Sequence, residues 1–142
     1  MSIHRRAAAA SPYLLTALLV VAGVNHFANP EPYDRIIPGF LPAHRALTYA
    51  SGVAELGCAA LVATPRTRRL GGWATAGLLV AVFPANVQMA LDGGAHGADG
   101  FLGSAAAAWL RLPIQIPLVA WAVQVARSTT TGLGQRDDQP VV

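Results

Sequence analysis

Five side chains set within or at the ends of apolar stretches, His26, Glu55, Asn86, Arg111 and Gln115, are the ones whose types could do chemistry in this sequence. An imidazole and a carboxyl can exchange a proton. A guanidinium keeps its charge at any accessible pH, and the two amides both donate and accept hydrogen bonds. A charged side chain at the centre of a bilayer costs roughly 2.5 to 3.5 kcal/mol on insertion scales, so Glu55 and Arg111 must turn toward each other, toward the amides or toward a water-filled pocket. For Glu55 the alternatives are a structural ion pair that fixes helix packing and a proton-handling or ligand-binding carboxylate. Arg111 either pairs inward with Glu55 or reaches outward to the headgroups. His26 is either a hydrogen-bonded helix-end residue or a contact to a quinone-like ligand. Asn86 either satisfies nearby backbone groups or orients a bound carbonyl. The spacing of His26, His44 and His96 fits no ligand motif, so no metal is expected. Nothing resembles a nucleophile elbow, a P-loop or a dinucleotide fingerprint, and no catalytic residue is assigned.

These groups must be carried by membrane helices. Of 142 residues, 54% are hydrophobic and 12% charged, outside the usual range for a domain that folds in water. The expected fold is all-α, a four-transmembrane-helix bundle with helices at about 12–28, 47–64, 70–91 and 106–127. At about 1.5 Å per residue each can cross roughly 30 Å of hydrocarbon. Residues 1–127 make one membrane domain, and 128–142 a disordered polar tail. Ser11 and Pro12 read as the N-cap and first position of the first helix. This segment also resembles a signal peptide, but it has no clear A-x-A site and ends in Asn25 and His26, which a discarded leader would not need.

Seven of the ten Arg residues lie at the N-terminus (Arg5, Arg6), in the second loop (Arg66, Arg68, Arg69) and at the C-terminus (Arg127, Arg136). The positive-inside rule then makes both termini cytoplasmic. It also accounts for the net charge of +3 without nucleic acid, since no basic stripe with interleaved aromatics is present. The absence of Lys beside abundant Ala, Gly and Pro suggests GC-rich codons, hence a bacterial inner membrane. The outer loop from Asn29 to His44 holds four prolines among apolar residues, which predicts a short interfacial helical turn on the bundle mouth. A glycine-rich loop follows Asp92. Cys58, the single cysteine, excludes an internal disulfide and a CxxC pair, leaving a buried packing residue or a thiol that reacts with a partner or cofactor.

Depth arithmetic puts all five polar residues in the outer half of the bilayer, which predicts one inward-facing cluster. Pro84, Pro113 and Pro117 each leave an upstream carbonyl without its helical donor, marking kinked ground beside Asn86, Arg111 and Gln115. Small residues on the second and third helices allow close backbone approach.

The run Gly23-Val-Asn-His26-Phe27, then Pro30, Pro32, Tyr33, Ile36, Pro38 and Leu41-Pro42, Ser51-Gly52, Glu55, Phe83-Pro84-Ala85-Asn86, and Arg111-Leu112-Pro113 with Gln115, resembles the DoxX-like family of small four-helix membrane proteins. The resemblance spans nearly the whole chain outside the two tails. It implies association with membrane redox systems, including thiosulfate oxidation through quinone and thiol stress responses, while distant eukaryotic relatives are assembly chaperones for receptors. The leading expectation is an accessory redox component whose His26, Glu55, Asn86, Arg111 and Gln115 line an outward pocket for a quinone-like or small polar-headed ligand. Its rival is an assembly chaperone or scaffold with a purely structural polar cluster. The expected partners are the lipid bilayer and either another membrane protein or a second copy, with no nucleic acid. A transporter is disfavoured, because no inverted repeat is visible.

Overall fold

The computed structural model describes residues 3–95 and 100–128, with side chains from residue 9. Expectations that fall on His96, Gly97, Arg136 and the tail from 129 lie outside the described residues. Six α-helices follow in order: α1 (Ile3–Ala28), α2 (Glu31–Ile36), α3 (His44–Ala63), α4 (Arg68–Ala81), α5 (Phe83–Leu91) and α6 (Ala105–Ser128), with a 3-10 turn at Phe101–Gly103. Four segments are long and apolar enough to cross a membrane: Ala9–Ala28, His44–Ala63, Arg68–Leu91 and Ala105–Ser128. In each, only 22–28% of the most apolar window is buried inside the bundle, so the remaining apolar surface requires a nonaqueous surrounding.

Two local features depart from the expected elements and a third agrees with them. The first helix runs through Ser11 and Pro12 instead of starting there, and Ser11 accepts a hydrogen bond from Trp121 Nε1 at 2.7 Å. The third span breaks at Val82, because Pro84 has no N–H to give the carbonyl of Val80 and its ring crowds that turn. The Pro-rich loop does contain a helical turn, α2, with Pro32 in its first turn, where a missing N–H costs nothing.

The α3–α4 turn is closed by side chains of the second loop. Thr67 Oγ1 donates to Leu61 O at 2.9 Å and Arg68 Nε to Val62 O at 2.9 Å, so the basic cluster also caps the last carbonyls of α3. Helix α1 packs on α3, α3 on α4 and α4 on α6, while α2 rests on α3 and α5; α1 and α6 meet only sparsely. Close approach is set by glycine. A Cβ on Gly71 would lie 2.6 Å from Val62 N, and one on Gly72 would lie 2.7 Å from Ala126 N. Leu15, Leu19, Cys58, Val62, Ala76 and Val125 make the main core. Met89, Ala90, Ala95 and Ala108 form a smaller one. Cys58 thus occupies a buried packing position.

Helix α2 is clasped to α3 through Asp34, whose Oδ1 accepts from Thr48 Oγ1 and whose Oδ2 accepts from Arg45 Nε, each at 2.6 Å. Burial pushes this carboxyl up, but the hydrogen bonds from Thr48 and Arg45 and the charges of Arg45 and His44 outweigh it and hold it below its ordinary value. A depressed carboxyl contributes stability that is complete above its unfolded value and is lost as pH falls through its folded value. Acid titration below about pH 4 should therefore release α2 in the wild type, read as protease cleavage in the segment joining α1 to α3. Asp34→Asn should be cleaved readily at neutral pH and show little further change on acidification. Protection equal to wild type at neutral pH would show that the clasp does not hold α2.

Candidate functional site

The first polar centre is built where α1 and α3 touch. Gly23 and Gly52 face each other across the contact: a Cβ on Gly52 would lie 2.8 Å from His26 Cβ, and one on Gly23 would lie 2.9 Å from Leu56 Cγ. Three residues on from each glycine, His26 and Glu55 are brought side by side. His26 Nδ1 stands 2.9 Å from Ala22 O and 3.2 Å from Glu55 Oε2. The imidazole proton lies along the Ala22 direction, so Glu55 Oε2 is at ion-pair distance yet buried without a hydrogen-bond donor. His26, 7% exposed, stacks on Tyr33 of α2 with ring centroids 3.8 Å apart. Tyr33 Oη in turn accepts from Asn25 Nδ2 at 2.7 Å.

The second centre lies between α5 and α6. Asn86 Nδ2 donates to Gln115 Oε1 at 2.7 Å, and Gln115 Nε2 donates to the carbonyl of Leu79, three residues before the break at Val82. An amide from α6 therefore supplies a donor to a carbonyl next to the proline kink. An almost wholly apolar cleft of about 340 Å³, lined by Val80, Phe83, Leu112, Gln115, Ile116 and Val119, runs beside this pair.

Arg111 stands on neither centre. Its Nη1 donates to Met89 Sδ at 3.4 Å and its Nη2 to Leu102 O at 3.3 Å. The expectation of one shared cluster is corrected accordingly: His26 pairs with Glu55, Asn86 with Gln115, and the Glu55–Arg111 ion pair does not form. Similar expected depth did not bring the five together, because a shared level does not fix which neighbour each helix face meets.

Of the five expected residues only Arg111 lines the larger groove on this side of the molecule; His26, Glu55, Asn86 and Gln115 do not, which corrects the expectation of one pocket lined by all five. Helices α1 and α6 are tied at one end by the Trp121–Ser11 bond and diverge toward the other, leaving a wedge of about 780 Å³. Leu18, Val21 and Val24 line its apolar wall, while Asn25, Tyr33 and Arg111 stand together at its mouth. Tyr33 is therefore a functional candidate that sequence reasoning placed only as an apolar loop residue. Its signal was present: an aromatic with a hydroxyl eight residues after Asn25, in a loop whose prolines fold it back over the helix end. The wedge can accept a molecule with a hydrogen-bonding head and an apolar body, with the His26–Glu55 pair behind the Tyr33 ring. Among the described residues no three His, Cys, Asp or Glu side chains converge as metal ligands would.

The sequence pattern of a family described as a domain of unknown function, DUF8561, matches residues 15–126, from the α1 core residue Leu15 to Ala126 near the end of α6. Comparison with curated proteins and with solved structures finds no match.

Proposed function

This chain belongs to the DUF8561 family, and from that premise, which brings no activity with it, we propose that it is a bacterial inner-membrane protein serving as an accessory component of a membrane redox system. In this reading it holds a quinone-like or other small polar-headed ligand drawn from the bilayer. Both termini are cytoplasmic, as the Arg distribution favours, and the groove mouth faces outward. The observation that carries the reading is the wedge between α1 and α6, where Asn25, Tyr33 and Arg111 offer hydrogen bonds above an apolar wall. A head held there lies against Tyr33, which stacks on His26, so the His26–Glu55 pair is placed to answer a change in its protonation. The resemblance to DoxX-like proteins supports the redox setting.

The test is binding of a short-chain ubiquinone to protein in neutral-lipid nanodiscs. Wild type should bind it, and Tyr33→Phe and Asn25→Ala should weaken binding by about tenfold while keeping the helical circular dichroism of wild type. If lipid extracts of the purified protein hold no quinone and none competes for the groove, the reading is lost. The rival, an assembly chaperone or scaffold, is favoured by one observation: Asn86 and Gln115 satisfy each other inside the bundle, as a purely structural cluster would. Under it Glu55→Gln lowers stability with no ligand to lose, and crosslinking in cells returns one consistent membrane partner.

A further inference from the structure

We propose that the groove between α1 and α6 seats an anionic phospholipid, with its phosphodiester on Arg111 and an acyl chain along Leu18 and Val21. This rests on the groove being a seat for bilayer amphiphiles, the premise of the proposed function, and adds a charge requirement that a neutral quinone-like head does not meet.

Arg111 has few acceptors around it. A guanidinium carries five N–H groups, and here two contacts are made, to a thioether sulfur and to a carbonyl at 3.3 Å. Both are weak partners for a full positive charge. Among the described residues no carboxylate comes within ion-pair distance of it, and Glu55, the acid expected to reach it, stands against His26 instead. Arg111 lies in the second turn of α6, about 9 Å from the helix start, close to where headgroups meet hydrocarbon. Trp109, half exposed two residues earlier, is the kind of side chain found at that level.

A planar guanidinium engages a phosphodiester through two parallel N–H bonds, which neither a thioether nor a lone carbonyl can offer. Across the mouth, the Tyr33 hydroxyl accepts from Asn25 and keeps its own proton to donate. Both walls of the mouth therefore present donors. Beneath them Leu18 and Val21 give no polar contact, and this apolar wall is why the occupant is a lipid and not a free anion.

The experiment uses the full chain in mild detergent with an equimolar mixture of phosphatidylglycerol and phosphatidylcholine, with retained lipid counted by native mass spectrometry. Wild type should keep one phosphatidylglycerol in preference to phosphatidylcholine. Arg111→Gln should lower that retention by about tenfold without changing phosphatidylcholine, and Arg111→Lys should restore part of it. Leu18→Trp, which fills the apolar wall and keeps the cation, should also expel phosphatidylglycerol, and glycerol phosphate lacking acyl chains should compete poorly. Equal retention of the two lipids by wild type, or an Arg111→Gln protein that melts like wild type and holds phosphatidylglycerol as well, overturns the proposal. So does strong competition by glycerol phosphate, which would mark a headgroup-only site. A short-chain ubiquinone separates the two readings. If it binds wild type and Arg111→Gln alike while the lipid preference is missing, the charge requirement fails and the functional reading survives. If phosphatidylglycerol is selected and ubiquinone does not bind, the reverse holds.

Discussion

Gly72→Val should leave little folded protein in mild detergent, whereas Gly77→Ala, five residues further along the same helix, should melt as wild type does. At Gly72 an added Cβ would stand 2.7 Å from Ala126 N and Cβ and 2.8 Å from Ala122 O, all on α6. Two of those atoms are backbone, so no rotamer change relieves the contact and α4 must move away from α6 as a unit. Overpacking of well-fitted cores costs about 1 to 3 kcal/mol where side chains can give way, and the loss here belongs at or above the top of that range. A Cβ on Gly77 meets nothing within 4 Å. Alanine there should hold stability within about 0.5 kcal/mol or improve it slightly, since it favours helix over glycine. Thermal unfolding by circular dichroism measures both; equal melting of the two variants would show that α4 and α6 are not held by this contact.

The second large effect is expected at the His26–Glu55 pair, and a double-mutant cycle reads it. Glu55→Ala and His26→Ala should each cost about 1 to 3 kcal/mol, because each leaves a buried polar partner behind. The lower part of the range applies to Glu55→Ala, since His26 can turn neutral and keep its bond to Ala22 O. The double variant should lose clearly less than the two singles together, with a coupling of about 1 kcal/mol or more. Simple additivity would mean that the 3.2 Å approach carries no energy. Isosteric Glu55→Gln sharpens the result: it removes the carboxyl charge and keeps the volume of the side chain, so it should be milder than alanine.

The existence and order of the membrane segments were legible in the sequence because burial in hydrocarbon demands long apolar runs, and Pro65 with its Arg neighbours punctuates them. Polar ground near Pro84 and Pro113 was legible because a proline strands a carbonyl, but that Asn86 would bond the Gln115 side chain instead of neighbouring backbone was not. The break at Val82 was legible only as a kink at Pro84, not as two helices. Azimuth was not legible. Residue spacing fixes which side chains share a face of one helix, but not which neighbour that face meets, so Glu55 stands against His26 and Arg111 against Met89. A better signal for the true pair was the repeated interval Gly23 to His26 and Gly52 to Glu55: in antiparallel helices equal intervals set each glycine at the level of the other helix's polar residue, as the 2.8 Å approach of a Gly52 Cβ to His26 Cβ shows. The Asp34 clasp was hidden for a similar reason: it joins a surface turn to the start of a helix, where no periodicity points.

The way the polar groups are paired has a consequence for biogenesis. His26 finds its carboxylate on α3, within the hairpin of α1 and α3, and Asn86 finds its amide partner on α6, within the hairpin that follows it in the chain. Neither of these two pairs therefore needs a polar mate from the other hairpin in order to form. Joining the hairpins is then left to the close approach of α4 to α3 at Gly71 and to the bond from Trp121 to Ser11, neither of which involves a charge.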